Sequence, residues 1–568
     1  MKFYSRRAAR KRGGLAPETS ALALLVLTSL AAWPAGTAPA LADSTQEEIQ
    51  LLKAQLKQLE AKVEAQAKKQ KETQVQIHAV ASRPAPQQAS LGGLPSGIAV
   101  APLGGAAPTG LTGVQSAVRG LPVAGAPSLY INGVSITPGG FFALESVFRS
   151  RLIGADVSTP WQNIPYGNIR TGSANEFRFS GRSSRGILLV KGDVSPSTHL
   201  AGYLEADFLG AAQTANSNES NSFNLRMRQL YATIDQDDFG AHLLAGQAWS
   251  LLTMNTKGIV ARQENIPLAI DHQYVPGFAW ARQAQLRLVK DFGNGFSAGI
   301  SAENPQTTFG GYTTVGTTVA TLPSTLVYNV TPVGGSLFNS LNATSINHMP
   351  DIIGKLAYDT SLAGHDIHLE GFGIFRDFYS QINNSNQDVA GGGGGGSALV
   401  SLIPKTLEAQ FSGFTGRGIG RYGTSQLPDV TFNWNGQVKP IPETMLLAGL
   451  TWHAMPNLDL YVYGGEEIQS ASYSTTWANG TANAFGLGNP LYSNAGCSIP
   501  GSTVCNGNIH LVRQITAGLW DKIYQGSFGQ LRAGVQYAYT QKFSFQGIGG
   551  GAKADDNMAL ASLRWYPF

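Results

Sequence analysis

Charge is scarce in this chain. Asp, Glu, Lys and Arg make up 13% of the 568 residues, against about 25% in an average globular protein. Long apolar runs are missing too: no stretch of 18 or more follows the N-terminal region, which excludes helical membrane spans. No basic stripe with interleaved aromatics exists, so nucleic acid is not an expected partner. The formal net charge of +4 does not change this. The first 126 residues carry 14 basic and 7 acidic side chains, whereas Pro127 to Phe568 carry 26 and 29. Cysteine is nearly absent. Cys497 and Cys505 sit in a Gly/Ser/Asn-rich stretch with no His pair nearby, so no metal site is expected there. In an oxidising exterior the two are expected to staple a loop, the alternative being two unpaired thiols.

Glycine, by contrast, is abundant, at 68 residues, and Tyr and Phe number 19 and 25. Few charges, much glycine and many aromatics fit a membrane barrel, and they also fit a secreted all-β protein. The order of residues decides between them.

Residues 1–42 read as a cleaved export signal. Arg6, Arg7, Arg10, Lys11 and Arg12 precede an apolar core from Ala21 to Ala32, and Ala40-Leu41-Ala42 offers a small-x-small cleavage site. Ser5-Arg6-Arg7 hints at a twin-arginine signal, but a barrel must stay unfolded until it reaches its membrane. Residues 43–80 read as a periplasmic coiled coil. Capping boxes at Ser44/Glu47 and Thr45/Glu48 open a 3,4 pattern through Ile49, Leu52, Leu56, Leu59, Val63, Ile77 and Val80. A helix this short seldom stands alone in water, so self-association is expected; a lone amphipathic helix lying on another surface is the alternative. Residues 81–126 are rich in Ala, Gly and Pro and read as a linker.

From residue 127 the chain alternates. Glu176, Arg178, Ser180 and Arg182 interleave with Phe177 and Phe179, and Glu205 and Asp207 with Leu204, Ala206 and Phe208. Successive strand residues face opposite sides, and buried soluble strands would not place ionised groups on the covered face. Seven short turns are visible, near Ser195, Asp235, Asn294, Ser361, Ile403, Met455 and Ser527, with long polar stretches between them. Short turns at one end and long loops at the other belong to outer-membrane barrels. With both chain ends on the short-turn side, seven turns give sixteen antiparallel strands. The expected fold is therefore an all-β transmembrane barrel over residues 127–568, with lipid outside and a wet lumen inside.

The stretch from Asn224 to Leu288 carries the candidate site. Arg226 and Arg228 alternate with Leu225 and Met227, and Gln283, Gln285 and Arg287 with Ala284, Leu286 and Leu288. Between these strands, after the strand Ala241 to Trp249, run about thirty residues without periodicity, Ser250 to Trp280. The expectation is a loop folded into the lumen. Arg178, Arg226, Arg228 and Arg287 are the candidate cationic ladder of the wall, and Arg262, Glu264 and Asp271 the candidate constriction residues of the loop. The alternative is that these cations pair with Glu176, Glu205 or Asp207 and hold the wall rigid. The chain ends Leu563-Arg-Trp-Tyr-Pro-Phe568, a terminal aromatic of the kind that barrel assembly machinery reads.

At Tyr203-Leu-Glu-Ala-Asp-Phe-Leu-Gly210, Leu243-Leu-Ala-Gly-Gln-Ala-Trp-Ser250, Arg282-Gln-Ala-Gln-Leu-Arg287, Met349-Pro-Asp-Ile-Ile353 and Gly418-Ile-Gly-Arg-Tyr422 the sequence resembles the DcaP-like porins. These are trimeric outer-membrane channels with an N-terminal coiled coil. The resemblance implies sixteen strands, a homotrimer in outer-membrane lipid, and a preference for small anions such as dicarboxylates. The glycine run Gly391 to Gly396, the cysteine loop and the long linker depart from the pattern.

Enzyme motifs occur only by chance. Gly295-Phe-Ser297-Ala-Gly299 begins a strand rather than joining strand to helix. Gly418-Ile-Gly420-Arg-Tyr-Gly423 lacks a βαβ unit around it. No catalyst and no cofactor are expected. A second function class is a structural anchor, whose coiled coil reaches through the periplasm to the cell wall.

Overall fold

The computed structural model describes residues 57, 128–210, 224–312, 322–330, 344–478 and 480–568. The chain divides into two units, Met1–Ala99 and Val100–Phe568. Of the first, Lys57 is described, helical and exposed. The export signal, the coiled coil (that residue apart) and the linker up to residue 126 thus lie outside the described residues.

The second unit is a closed antiparallel barrel of sixteen wall strands. We number them β1 (Val134–Arg149), β2 (Glu176–Ser180, resumed as Arg185–Ser195), β3 (Thr198–Asp207) and β4 (Arg226–Gln236). Then come β5 (Ala241–Trp249), β6 (Arg282–Asp291), β7 (Phe296–Glu303) and β8 (Asp351–Leu362). Next are β9 (His365–Ile382), β10 (Ser385–Ile403), β11 (Leu407–Arg417) and β12 (Pro442–Met455). The wall ends with β13 (Leu458–Gln469), β14 (Ile509–Gly526), β15 (Gly529–Ser544) and β16 (Lys553–Tyr566). Each strand pairs with its chain neighbour, and β16 closes on β1 with Phe142 opposite Trp565 and Arg149 opposite Met558. Closure leaves no unpaired edge to the lipid, where a bare amide or carbonyl would cost several kcal/mol (roughly, per group).

The alternation of the sequence becomes the two faces of the wall. Leu286, Leu288, Ile300, Leu356, Ile515 and Val535 are exposed on the outside. Their sequence neighbours Gln285, Arg287, Ser301, Lys355, Gln514 and Gln536 are buried inside. Aromatic side chains flank this apolar band: Phe239, Phe292 and Phe528 by the short turns, Phe148, Phe177 and Phe179 toward the long loops. Such rings suit the two water–lipid boundaries. None of the described helices is long and apolar enough to cross a membrane.

All seven short turns fall where the sequence places them. Asn294-Gly295 and Ala363-Gly364 have positive φ at both residues, the backbone that two-residue hairpins require. On the opposite rim one connection differs from the expected long loop. β9 and β10 are joined by Asn383-Asn384 alone, both at positive φ. The glycine run Gly391 to Gly396 lies inside β10, not in a loop. On its lumen side the rings of Phe372 and Phe378 lie against the strand, and a Cβ at Gly391 would meet Phe378 at 2.4 Å. Glycine inside a strand marks close approach; here the rings occupy the room its missing side chains leave.

Candidate functional site

The wall strands β3 and β4 slip register between Glu205 and Ala206, so that Gln229 faces Glu205 and Met227 faces Ala206. Arg228 is the extra residue of this bulge. Bulges re-aim side chains, and here the consecutive Arg228 and Gln229 both point inward and are buried. Arg228 donates from Nε to Glu205 Oε1 at 2.6 Å and from Nη1 to Asp207 Oδ2 at 2.9 Å. Arg226 grips Asp207 with two bonds, Nε to Oδ1 at 2.9 Å and Nη2 to Oδ2 at 2.7 Å. Arg185 of β2 reaches Glu205 Oε1 at 3.0 Å. Arg282, at the start of β6, lies over the Trp249 ring at 4.6 Å and acts electrostatically on Arg226 and Arg228. Three guanidiniums therefore share two carboxylates, with Arg282 beside them as a fourth cation. The cluster carries an excess of two positive charges.

Arg185 and Arg228 are as buried as the carboxylates they hold, and two other cations of this wall sector meet water. The side chains of Glu176, Glu205 and Asp207 are at most 4% exposed, whereas Arg226 is 30% and Arg178 47% exposed. Arg178 sits 3.6 Å from Glu176, and Lys191, facing the lumen from β2, is half-buried.

The loop from Ser250 to Ala281 folds inward, and most of its residues are buried. One side carries Ile266, Leu268, Ile270, Val275 and Phe278, which pack with Tyr461, Tyr463, Trp520, Met558 and Leu560 of the wall. Its backbone amides are held by wall side chains. Leu251 N donates to Glu303 at 2.8 Å, Asn255 N to Glu370 at 2.9 Å, Gly277 N to Glu467 at 2.8 Å and Asp271 N to Gln536 at 3.2 Å. Carboxylates of β7, β9 and β13 are thereby spent on loop amides rather than left facing water. On the other side of the loop Tyr274 accepts from Arg228 Nη2 at 3.3 Å. Burial pushes its phenol up, but the guanidiniums of Arg228, Arg185 and Arg282 outweigh this and bring it down to about 8.

The residues singled out from the sequence are placed as follows. Arg178, Arg226 and Arg228 line one wall sector, each beside a carboxylate. Arg287 lies farther along on β6, where Nε donates to Gln285 Oε1 at 3.0 Å and Nη2 to the Trp249 carbonyl. Arg262 of the loop has φ +71° and stands 6.0 Å from the Tyr203 ring, and its amide donates to Glu264 Oε1 at 3.2 Å. Asp271 is buried and accepts from the amides of Thr159 and Gln273 at 3.1 and 2.8 Å. It ties the loop to the segment after β1. Arg185, Lys191, Arg282 and Tyr274 were not singled out. Arg185 and Lys191 bracket the apolar run Ile187 to Val190, which hides the strand's facing, and nothing local to Tyr274 marks it.

Cys497 and Cys505 form a disulfide with Cα atoms 4.7 Å apart, in the loop between β13 and β14. It lies beside Tyr166 and Gly507.

No protein-family profile matches the chain, and no curated protein does either. Among solved structures, the outer membrane channel DcaP of Acinetobacter baumannii superposes with a TM-score of 0.51 at 15% identity, over 78% of this chain and all of that one. Pseudomonas putida OprB gives 0.40 at 9% identity, covering 76% and 94% of the two chains. Salmonella typhi OmpF gives 0.38 at 10%, covering 78% and 100%. The barrel is thus similar in fold to the DcaP channel.

Proposed function

We propose that the protein is a trimeric porin of a bacterial outer membrane, admitting small hydrophilic solutes by passive diffusion with a preference for small anions such as dicarboxylates. One observation carries the charge preference: Arg185, Arg226 and Arg228 share two buried carboxylates, Arg282 stands beside them as a fourth cation, and Arg226 is the member of these pairs that is open to water. Fixed charge in a narrow, low-dielectric passage attracts counter-ions and repels co-ions. The excess of guanidinium beside the inward loop therefore favours anions. On the facing strands Glu303, Glu370 and Glu467 accept from loop amides and are turned away from water.

The test is ion selectivity in planar bilayers. Wild-type protein should insert with stepwise triplets of conductance and a reversal potential of anion-preferring sign. Replacing Arg226 and Arg282 by Gln should move that potential toward neutrality. An unchanged potential in the double variant rejects the cluster as the selectivity element. Liposome swelling with sugars and dicarboxylates of matched size then reports the solute class.

A further inference from the structure

A second cluster lies on the outside of the barrel, unconnected with the lumen. On β9 and β10, Tyr379 is opposite Asp388 and Asp377 is opposite Ala390. The two aspartates therefore stand diagonally on one outward face, within side-chain reach. Lower on that face Leu369 and Phe375 are exposed and apolar; above Phe375 it becomes polar with Asp377, Tyr379 and Gln381. The aspartates thus sit at the upper border of the lipid belt. His348, from the segment leading into β8, completes the group, its ring 4.5 Å from the Tyr379 ring.

Ligand atoms of His348, Asp377 and Asp388 all lie within 4.8 Å of one another. His348 Nε2 is 3.1 Å from Asp377 Oδ2 and 3.4 Å from Asp388 Oδ1. Asp377 is the telling member. Its side chain is 9% exposed, and its Oδ2, aimed at the imidazole, accepts no hydrogen bond. Among the described residues, the charges acting on it are His348 and Asp388. Two carboxylates and one imidazole nitrogen thus converge, with no lysine or arginine acting on Asp377. A buried carboxylate oxygen without a donor is costly, and a bound cation removes that cost.

We propose that His348, Asp377 and Asp388 form a binding site for a divalent transition metal, Zn²⁺ above Ca²⁺ or Mg²⁺, with the remaining position open to water. Imidazole nitrogen suits Zn²⁺, whereas Ca²⁺ and Mg²⁺ take oxygen ligands throughout. The ion would tie the segment before β8 to the β9–β10 hairpin. The competing explanation is a protonated His348 bridging two aspartates, which needs no metal.

The experiment is calorimetric titration of the full chain in detergent with Zn²⁺, and with Co²⁺ followed by its visible absorption. Asp377→Asn and His348→Gln are run beside the wild type. The expected result is one Zn²⁺ per chain, with affinity in each variant lowered by at least the roughly tenfold that loss of an outer partner alone costs. Co²⁺ should give the intense bands of a four-coordinate site in wild type only. No uptake, equal uptake in both variants, or a preference for Ca²⁺ overturns the proposal. Heat-modifiable migration on gels confirms that each protein compared is a folded barrel. If Asp377→Asn does not fold, His348→Gln, whose side chain is exposed, decides alone.

Discussion

Arg228 on the barrel wall donates from Nη2 to the phenolic oxygen of Tyr274 on the inward loop, at 3.3 Å. The contact joins the part of the fold set by strand alternation to the part that has no periodicity. It also places an ionisable phenol among guanidiniums.

That placement predicts a pH dependence. Burial raises the Tyr274 phenol, and Arg228, Arg185 and Arg282 lower it by more, to about 8. Below this pH the phenol is neutral and the cluster keeps its excess of two positive charges; above it the phenolate cancels one. Anion preference should therefore fall as pH rises through about 8, read as a drift of reversal potential toward neutrality. Tyr274→Phe should flatten the drift over that range. A drift of the same size in the Phe variant assigns the titration to another group.

The guanidiniums should separate by stability. Arg228 is 2% exposed and bonded to Glu205 and Asp207. Removing one partner from a buried pair costs about 3–5 kcal/mol, so Arg228→Gln should unfold at clearly lower temperature or denaturant concentration. Among the described residues Arg282 has no carboxylate within ion-pairing distance and stacks on Trp249 and Trp280. Arg282→Gln should shift selectivity with little loss of stability. Equal losses in the two variants would mean that Arg228 is not held by its carboxylates.

The wall was legible in the sequence because facing in a strand depends on neighbours two residues apart. Phe177 and Phe179 point out while Glu176 and Ser180 are buried, as local alternation requires. The acids that pair with the wall arginines, Glu176, Glu205 and Asp207, were legible too; the individual pairings were not. Which carboxylate meets Arg228 depends on a bulge that shifts β4 against β3, and alternation alone cannot show an extra residue. Asp271 looked like a pore-lining acid, yet it holds two amides, since a long inward loop must satisfy its own backbone. Gly391 to Gly396 blur the strand pattern because glycine has no side chain to report a face. Phe378, thirteen residues earlier at the nearest glycine, supplies the missing bulk from the adjacent strand.

The disulfide should act locally. Cys497 and Cys505 close a short loop in a long connection between wall strands. Chain-entropy arguments assign such a ring about 2–3 kcal/mol. The Cys497→Ser, Cys505→Ser double variant should be cut faster by added protease between these positions. Its heat-modifiable migration and single-channel conductance should stay as in wild type. A collapse of barrel assembly in the variant would show that the bond is needed beyond its own loop.

The most direct trial of the inward loop is its contact with the wall at two glycines. At Gly277 φ is +84° and a Cβ would lie 2.1 Å from the Leu446 carbonyl oxygen; at Gly465 it would lie 2.0 Å from that of Pro276. Backbone thus rests on backbone, and Glu467 fixes the contact by accepting from Gly277 N at 2.8 Å. Alanine at Gly277 adds about 1–3 kcal/mol of backbone strain to a clash that no side-chain rotation relieves. The loop must move off the wall. Gly277→Ala should therefore change single-channel conductance and the size limit in liposome swelling. Gly465→Ala should do the same from the other side of the contact. Gly354→Ala, on β8 with nothing within 4 Å of its Cβ position, should leave both unchanged. If the first two variants conduct and exclude solutes as the third does, the loop does not set the width of the passage, and the cationic wall would have to set selectivity without it.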